Sequence, residues 1–185
     1  WVPPLLMDSE LYLNRAKLPL FEHSSADFLL AVRDGRDVGR LAVLANTRYN
    51  ASHGTRRAQF YLFECEDDPE AAVALFARAF EWARARGLDE IIGPKGFSAL
   101  DAYGMLVEGF EHRPAMTMAA YNFDYYPRLV EAQGFRKEVD FVSCSLSAEA
   151  FRLPEVVHRI ADRARQRSHL QVRQFKSKPE LVRWA

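Results

Sequence analysis

The chain has 185 residues, of which 49% are hydrophobic and 27% charged, an ordinary globular composition. This composition excludes disordered, collagen-like and coiled-coil proteins, and no apolar run approaches the roughly 18 residues that a membrane-spanning helix needs. The 25 basic and 25 acidic residues balance, but residues 152–185 carry nine Lys/Arg and three Asp/Glu. Such a basic tail indicates either a nucleic-acid or membrane contact, or a solvated helix face against an acidic body, and we favour the second interpretation.

The two cysteines, Cys65 and Cys144, are far apart in the sequence. They are too few for a disulfide framework or a Cys-rich metal site, so we expect a reducing, cytoplasmic setting. His112 beside Glu111 has no second His or Cys at ligand spacing, and we therefore expect no metal.

The first part of the chain predicts short helices followed by strands. Residues 1–25 are rich in Pro and Leu and favour one or two short helices. An Asp-Gly turn joins two predicted strands, Asp27–Arg33 and Val38–Ala45. Residues 46–57 are polar and predict a loop. Ala58–Cys65 is apolar on both faces, which is typical of a central strand.

The clearest helix follows this central strand. Asp68 is a suitable N-cap and Pro69 fits the first helical position. Val73, Phe76 and Phe80, flanked by Ala72, Ala77 and Ala83, predict the face that packs on the core. Gly87 is suited to end the helix.

The rest of the chain alternates further strands and helices. The predicted strands are Glu90–Gly93, Ala115–Tyr121 (weak), Phe135–Leu146 and Leu170–Phe175. The predicted helices are Pro127–Gln133, Pro154–Arg167 and Pro179–Trp184. The interleaving predicts an α/β (α+β) fold, with a mixed sheet packed by helices.

This order of elements, with the segment from Asn122 to Gly134-Phe135, resembles the GNAT superfamily of acyl-CoA N-acyltransferases over residues 27–146. The resemblance implies a mixed, mostly antiparallel central sheet flanked by helices. It also implies acyl transfer from acyl-CoA to an amine.

A closer likeness is to long bacterial GNAT-like proteins of unclear function that carry two such halves. The shared phrases are Trp1-Val2-Pro3-Pro4, Gly39-Arg40, Gly93-Pro94, Phe97-Ser98, Gly104, Leu106-Val107-Glu108-Gly109-Phe110, Asn122, Tyr125-Tyr126, Gly134-Phe135 and Asp140. This likeness implies a GNAT-like domain over 1–150 without its first strand, then a connecting helix over 151–168 and the start of a second half over 169–185. The expected partners are that second half or a homo-oligomer partner.

GNAT enzymes hold the pyrophosphate of acyl-CoA in a loop rich in Gly and Arg after the central strand. The matching segment here, Glu64–Glu70, has five carboxylates and no glycine. Because like charges repel a diphosphate, we expect this half to have lost the usual cofactor site, which leaves acetyl-CoA or another acyl-CoA weakly supported. The resemblance makes Glu64 a candidate general base, and the alternative, which we favour, is a surface carboxylate in the acidic cap. Val130 occupies the family's tyrosine position. Tyr125 and Tyr126, a turn earlier, are candidate acids if the helix is rotated or shifted.

Glycines and aromatic residues are concentrated in residues 93–126 and suit a pocket wall or a folded-back insertion. The candidate substrate-binding residues in it are Phe97, Ser98, Glu108, Phe110 and Asn122. A small-molecule amine is the expected substrate. The alternatives are a non-catalytic small-molecule-binding module and a purely structural half. We expect no membrane partner. Nucleic acid stays a minor alternative, because the basic tail has few interleaved aromatics.

Overall fold

The computed structural model describes residues 6–97, 101, 103–113, 120–144, 146–147, 149, 151–168 and 173–184, and of residues 6–9 only the backbone. The chain divides into two compact units, residues 1–141 and 142–185. The elements of the first unit are α1 (Leu6–Leu13), a 3-10 helix (Pro19–Glu22), β1 (Ser24–Arg33), β2 (Arg36–Asn46), α2 (Thr47–His53), β3 (Arg57–Cys65), α3 (Pro69–Arg84), β4 (Glu90–Ile92) and α4 (Tyr126–Glu131). The second unit contains α5 (Glu155–Ser168) and α6 (Lys178–Trp184).

The sheet of the first unit has the strand order β1-β2-β3-β4. β1 pairs with β2 and β2 with β3 in antiparallel fashion, whereas β3 and β4 are parallel. The predicted fold class, a mixed and mostly antiparallel sheet flanked by helices, is therefore confirmed. β3 is an inner strand, as its two apolar faces predicted.

β3 contains a bulge close to its carboxyl end. Arg40 pairs with Glu64 and Ala42 with Tyr61, so Leu62 and Phe63 together face the single residue between them on β2. Leu62 has a φ of 53°, which is unusual for a branched side chain. The bulge re-aims the strand just before Glu64 and Cys65.

α3 packs on the sheet from its predicted start, with Asp68 as N-cap and Pro69 in the first turn. Its buried residues are Ala71, Ala72, Leu75, Phe76, Ala79, Trp82 and Ala83. The prediction that Val73 faces the core was wrong, since 52% of its surface is exposed. The buried stripe runs instead through Leu75, Ala79 and Trp82 at helical spacing.

The predicted loop over residues 46–57 is in part a helix, α2. The side chain of Asn46 accepts a hydrogen bond from the Tyr49 N–H at 2.9 Å and so caps its start. Gly54 ends it with a φ of 63°, a conformation that favours glycine. These cap residues are the signal that the loop prediction overlooked.

The predicted strand Phe135–Leu146 was also wrong, because its described residues, all except Ser145, form no strand. Phe135 packs edge-on against Phe60 and Phe76, with ring centroids 5.1 Å and 5.3 Å away. Farther along, Val139, Phe141 and Val142 are exposed. A strand needs a neighbouring edge for its backbone hydrogen bonds, and the edge strand β4 offers only three residues.

Two other predicted strands fall largely outside the described residues. Of Ala115–Tyr121, only the last two residues are described, and neither is in a strand. Of Leu170–Phe175, only residues 173–175 are described, again without a strand. No helix in the described part of the chain has the length and apolarity needed to cross a membrane.

Candidate functional site

Two tyrosines at the start of α4 meet the carboxyl end of β3. The Tyr126 hydroxyl donates to Glu64 Oε2 at 2.5 Å and accepts from the Cys65 N–H at 3.2 Å. The Tyr125 hydroxyl donates to the Cys65 carbonyl oxygen at 2.9 Å. The structure thus brings together the three predicted catalytic residues, and we call them with Cys65 the β3-end site.

The β3-end site joins buried hydroxyls to an accessible carboxylate. Tyr126 is buried and Tyr125 half-buried, whereas 51% of the Glu64 side chain is exposed. Burial and then the bond to Glu64 raise the pKa of Tyr126. Burial, followed by the charges of Asp67 and the neighbouring glutamates, raises the pKa of Tyr125. Both hydroxyls therefore keep their protons at neutral pH, and the Glu64 carboxylate beside them is open to solvent.

Cys65 lies beneath these tyrosines with 4% of its surface exposed. Burial first, and then the charge of Asp68, raises the pKa of its thiol to about 11. A buried thiol of this kind stays protonated and is a poor nucleophile.

The five carboxylates from Glu64 to Glu70, which we call the acidic segment, all contact arginines. Arg36 lies 2.5 Å from Glu66, and Arg128 lies 2.5 Å from Asp67. Arg33 contacts Asp68 at 2.8 Å and Glu70 at 3.1 Å, and Arg40 is 3.8 Å from Glu64. Four guanidinium groups therefore largely neutralise this segment, which the sequence alone presented as strongly negative.

The backbone donors at the start of α3 are occupied by the protein itself. The Asp68 carboxylate accepts from the N–H groups of Glu70 and Ala71 at 3.0 Å and 3.2 Å. The Asp68 carbonyl accepts from Ala72 at 3.1 Å, and Pro69 has no N–H to donate. An anion that bound here would have to displace the Asp68 carboxylate.

The candidate substrate-binding residues lie in separate environments. Phe97 stacks on Tyr12 at 5.8 Å and meets Phe21 edge-on at 5.6 Å. Asn122 accepts from the Leu106 N–H at 2.7 Å and donates to the Leu106 carbonyl at 3.2 Å, so it ties two segments together. The remaining three are Glu108, which is exposed, Phe110, which is half-buried, and Ser98, which lies outside the described residues.

Sequence reasoning did not single out Phe123, an exposed aromatic residue that contacts the β3-end site. Phe123 stacks on Tyr125 with ring centroids 5.3 Å apart and planes 9° apart, and 65% of its surface is exposed. It also missed the four arginines and the bulge. Three of the arginines lie near the Asp-Gly turn and the fourth lies in α4. Only the strand register and the docking of α4 show that they contact the acidic segment. Among the described residues, no group of three His, Cys, Asp or Glu side chains could hold a metal ion.

Two curated relatives match most of the chain. It is 33% identical, over 160 residues and 86% of its length, to a protein of Caulobacter vibrioides (strain NA1000 / CB15N) named bacterial ceramide synthase. It is 26% identical, over 167 residues and 90% of its length, to protein YghO of Escherichia coli (strain K12). The chain covers 41% and 42% of these proteins, so it spans about two fifths of their length. No family model matches the chain. No solved structure matches it either.

Proposed function

We propose that this chain is a GNAT-like domain of an N-acyltransferase that moves an acyl group from acyl-CoA to an amine. The observation that carries the proposal is the β3-end site, in which Glu64, Tyr125 and Tyr126 meet beside a bulge in an inner strand. The relative named ceramide synthase supports it, because a ceramide is an amide of a fatty acid and a long-chain amino alcohol. We therefore propose a long-chain amine as the acceptor of the complete protein.

In the proposed reaction, Glu64 removes a proton from the acceptor ammonium group and releases it to solvent. The amine nitrogen then attacks the thioester carbonyl and the new C–N bond forms. As the C–S bond breaks, Glu64 takes the second proton from that nitrogen and passes it to the departing thiolate. The Tyr125 hydroxyl, which donates its proton to the Cys65 carbonyl in the structure, turns to donate it to the sulfur instead. A bulge disrupts the ladder locally, and we propose that backbone N–H groups there stabilise the oxyanion that forms on the carbonyl. Tyr126 acts as a positioning residue that holds Glu64.

The occupied start of α3 favours the second candidate function, a binding or structural module without chemistry. Asp68 fills the donors that a pyrophosphate would use, as described above. In the acyltransferase proposal, the cofactor's phosphates must therefore bind elsewhere, such as in the second GNAT-like half that we propose as partner. We also propose a cytoplasmic location, since both cysteines are free thiols.

Acyl-CoA binding and amide formation test the proposal. The 185-residue chain and a longer form that includes the rest of the parent protein would be titrated with acetyl-CoA and a long-chain acyl-CoA by calorimetry. Each would then be incubated with acyl-CoA and a long-chain amino alcohol, and the amide detected by mass spectrometry. We expect Glu64→Gln to lower the rate by about 100-fold or more, the usual contribution of a general base.

The matched control is Glu66→Gln, which removes a carboxylate two residues away that pairs with Arg36 and has no proposed chemical role. Its rate should stay within about threefold of the parent's, as a surface ion pair contributes little. Equal losses in the two variants would reject Glu64 as the base. If neither form binds acyl-CoA, the non-catalytic module becomes the better interpretation.

A further inference from the structure

α5 carries an apolar stripe that is exposed. Because an α-helix has 3.6 residues per turn, five aliphatic residues fall on one face of it. They are Val156, Val157, Ile160, Ala161 and Ala164. No residue of α5 is buried, and 60% of the surface of Ile160 is exposed. Phe151 and Leu153, which precede the helix, are exposed too. Exposed apolar side chains gathered on one helix face mark an interaction site.

Arginines border this stripe on both sides. Arg163 and Arg167 each follow a stripe residue by three positions along one border, and Arg165 follows Ala161 by four positions along the other. Glu155 and Asp162, seven residues apart, lie on the opposite face. In the described part of the chain, Arg165 contacts Asp162 at 3.4 Å, and no ion pair involves Arg163 or Arg167.

This distribution fits the interface of a lipid bilayer. A helix that lies in the plane of a membrane buries its apolar face among the acyl chains, and its flanking arginines reach up to the phosphates. Acidic groups are best placed on the opposite face, where they remain in water. Residues 142–185 carry nine basic and four acidic side chains, which adds attraction to an anionic surface.

We propose that α5 binds the surface of anionic phospholipid membranes, with its apolar stripe inserted and Arg163, Arg165 and Arg167 on the lipid phosphates. Surface binding needs no membrane-spanning helix. The proposal departs from the expectation of no membrane partner that the sequence alone suggests. It does not depend on acyl transfer, and its test uses no acyl-CoA.

Other occupants fit the same face less well. Nucleic acid would bind the arginines but leave the apolar stripe in water. A second copy of α5 would cover the stripe but would bring two arginine borders together, where like charges repel. If α5 were only a solvated helix whose basic side chains met acidic residues of the chain, its apolar stripe would have no role.

Vesicle flotation with the 185-residue chain tests the proposal. The vesicles would contain phosphatidylcholine alone or phosphatidylcholine with about a third phosphatidylglycerol, which gives an anionic surface. We expect binding to the anionic vesicles only, and weaker binding as NaCl rises from about 0.05 M to about 0.5 M, because salt screens the attraction. Circular dichroism would verify that every variant keeps its helix content.

The apolar contribution is tested by the double substitution Val157→Gln and Ile160→Gln. We expect it to weaken vesicle binding by about tenfold or more, since two aliphatic side chains no longer leave water. The matched control is Val73→Gln, an exposed valine on a helix of the first unit. It should leave binding unchanged.

The charge contribution is tested by Arg163→Gln, which should weaken binding by about fivefold. Its control is Arg48→Gln, a change at an exposed arginine of α2 that should have much less effect.

Three outcomes would overturn the proposal. These are no binding to anionic vesicles, binding that the α5 variants leave intact, and a dimer, detected by light scattering, that the double substitution dissolves while vesicles bind nothing.

Discussion

At the scale of single residues, the hydroxyl of Tyr126 supports both the fold and Glu64. It accepts a hydrogen bond from the buried Cys65 N–H. We expect Tyr126→Phe to lower the free energy of unfolding by about 1–3 kcal/mol, because a buried N–H is left without a partner. Urea denaturation followed by circular dichroism measures this change.

The comparison for Tyr126 is Tyr125→Phe, which removes the same hydroxyl oxygen from a half-buried ring. In Tyr125 this hydroxyl donates a hydrogen bond to the Cys65 carbonyl. We expect a smaller loss, about 0.5–1.5 kcal/mol, the net value of an ordinary hydrogen bond. If the two variants lost equal stability, the hydrogen bond to the Cys65 N–H would have no special role.

The raised pKa of the Cys65 thiol predicts that the protein loses stability in alkaline solution. Its thiol pKa is raised from 9.0 to about 11 in the fold, so the unfolded chain releases this proton first as pH rises. The unfolded state then binds fewer protons than the native state, and the free energy of unfolding falls between pH 9 and 11 by about 2 kcal/mol. Below pH 9 this contribution is fully present.

Denaturant titrations at several pH values check this effect, with Cys65→Ala as the comparison. The variant should be less stable at neutral pH but should lack the part of the slope between pH 9 and 11 that belongs to the thiol. Burial and the charge of Asp101 raise the pKa of Tyr61 to about 12. Tyr61 therefore adds a separate loss of stability at higher pH in both proteins. Identical slopes in both proteins would reject the assignment to Cys65.

At the scale of elements, the N-cap of α3 is tested by Asp68→Ala. Asp68 accepts two backbone hydrogen bonds and contacts Arg33 at 2.8 Å. We expect a loss of about 0.5–2 kcal/mol in the free energy of unfolding, measured by urea denaturation. Asp67→Ala is the control. Its carboxylate pairs with Arg128 across an exposed surface, so it should lose under about 1 kcal/mol. The reverse order would show that capping is not the main role of Asp68.

The sequence predicted those elements that carry local signals. β3 has apolar faces, and α3 has a cap, a proline and helical spacing, so both could be recognised without tertiary contacts. Phe135–Leu146 has a strand pattern, but a strand forms only beside a partner, and the pattern does not show whether one exists. Val73 was misplaced because two possible apolar stripes share Phe76.

In the β3-end site, too, the sequence predicted what local motifs show and not what depends on tertiary contacts. Glu64, Tyr125 and Tyr126 were predicted through a family resemblance that aligned short motifs. The arginines were not predicted, because Arg36 and Glu66 are 30 residues apart and Arg128 and Asp67 are 61 apart. Such pairs depend on hairpin register and helix docking, which local patterns do not contain.

At the scale of the whole molecule, the chain combines an acidic unit and a basic one. Residues 1–141 carry 16 basic and 21 acidic side chains, whereas residues 142–185 carry the opposite excess. The described residues of 142–154 are exposed and form neither helix nor strand. We therefore infer that the first unit, which holds the sheet and the β3-end site, folds without the second.

Limited proteolysis with trypsin tests this inference. Arg152 is the one Lys or Arg between residues 142 and 158, and the sites within α5 resist cleavage because a protease needs locally unfolded backbone. Arg173 and Lys176 are exposed outside the helices, and a cut there leaves the first unit whole. We expect an early cut after Arg152, and a fragment of residues 1–152 that still unfolds cooperatively in urea. Arg152→Gln should remove that fragment and serves as the control. A first cut inside β1–β3, or a fragment without a cooperative transition, would mean that the first unit depends on the second for its stability.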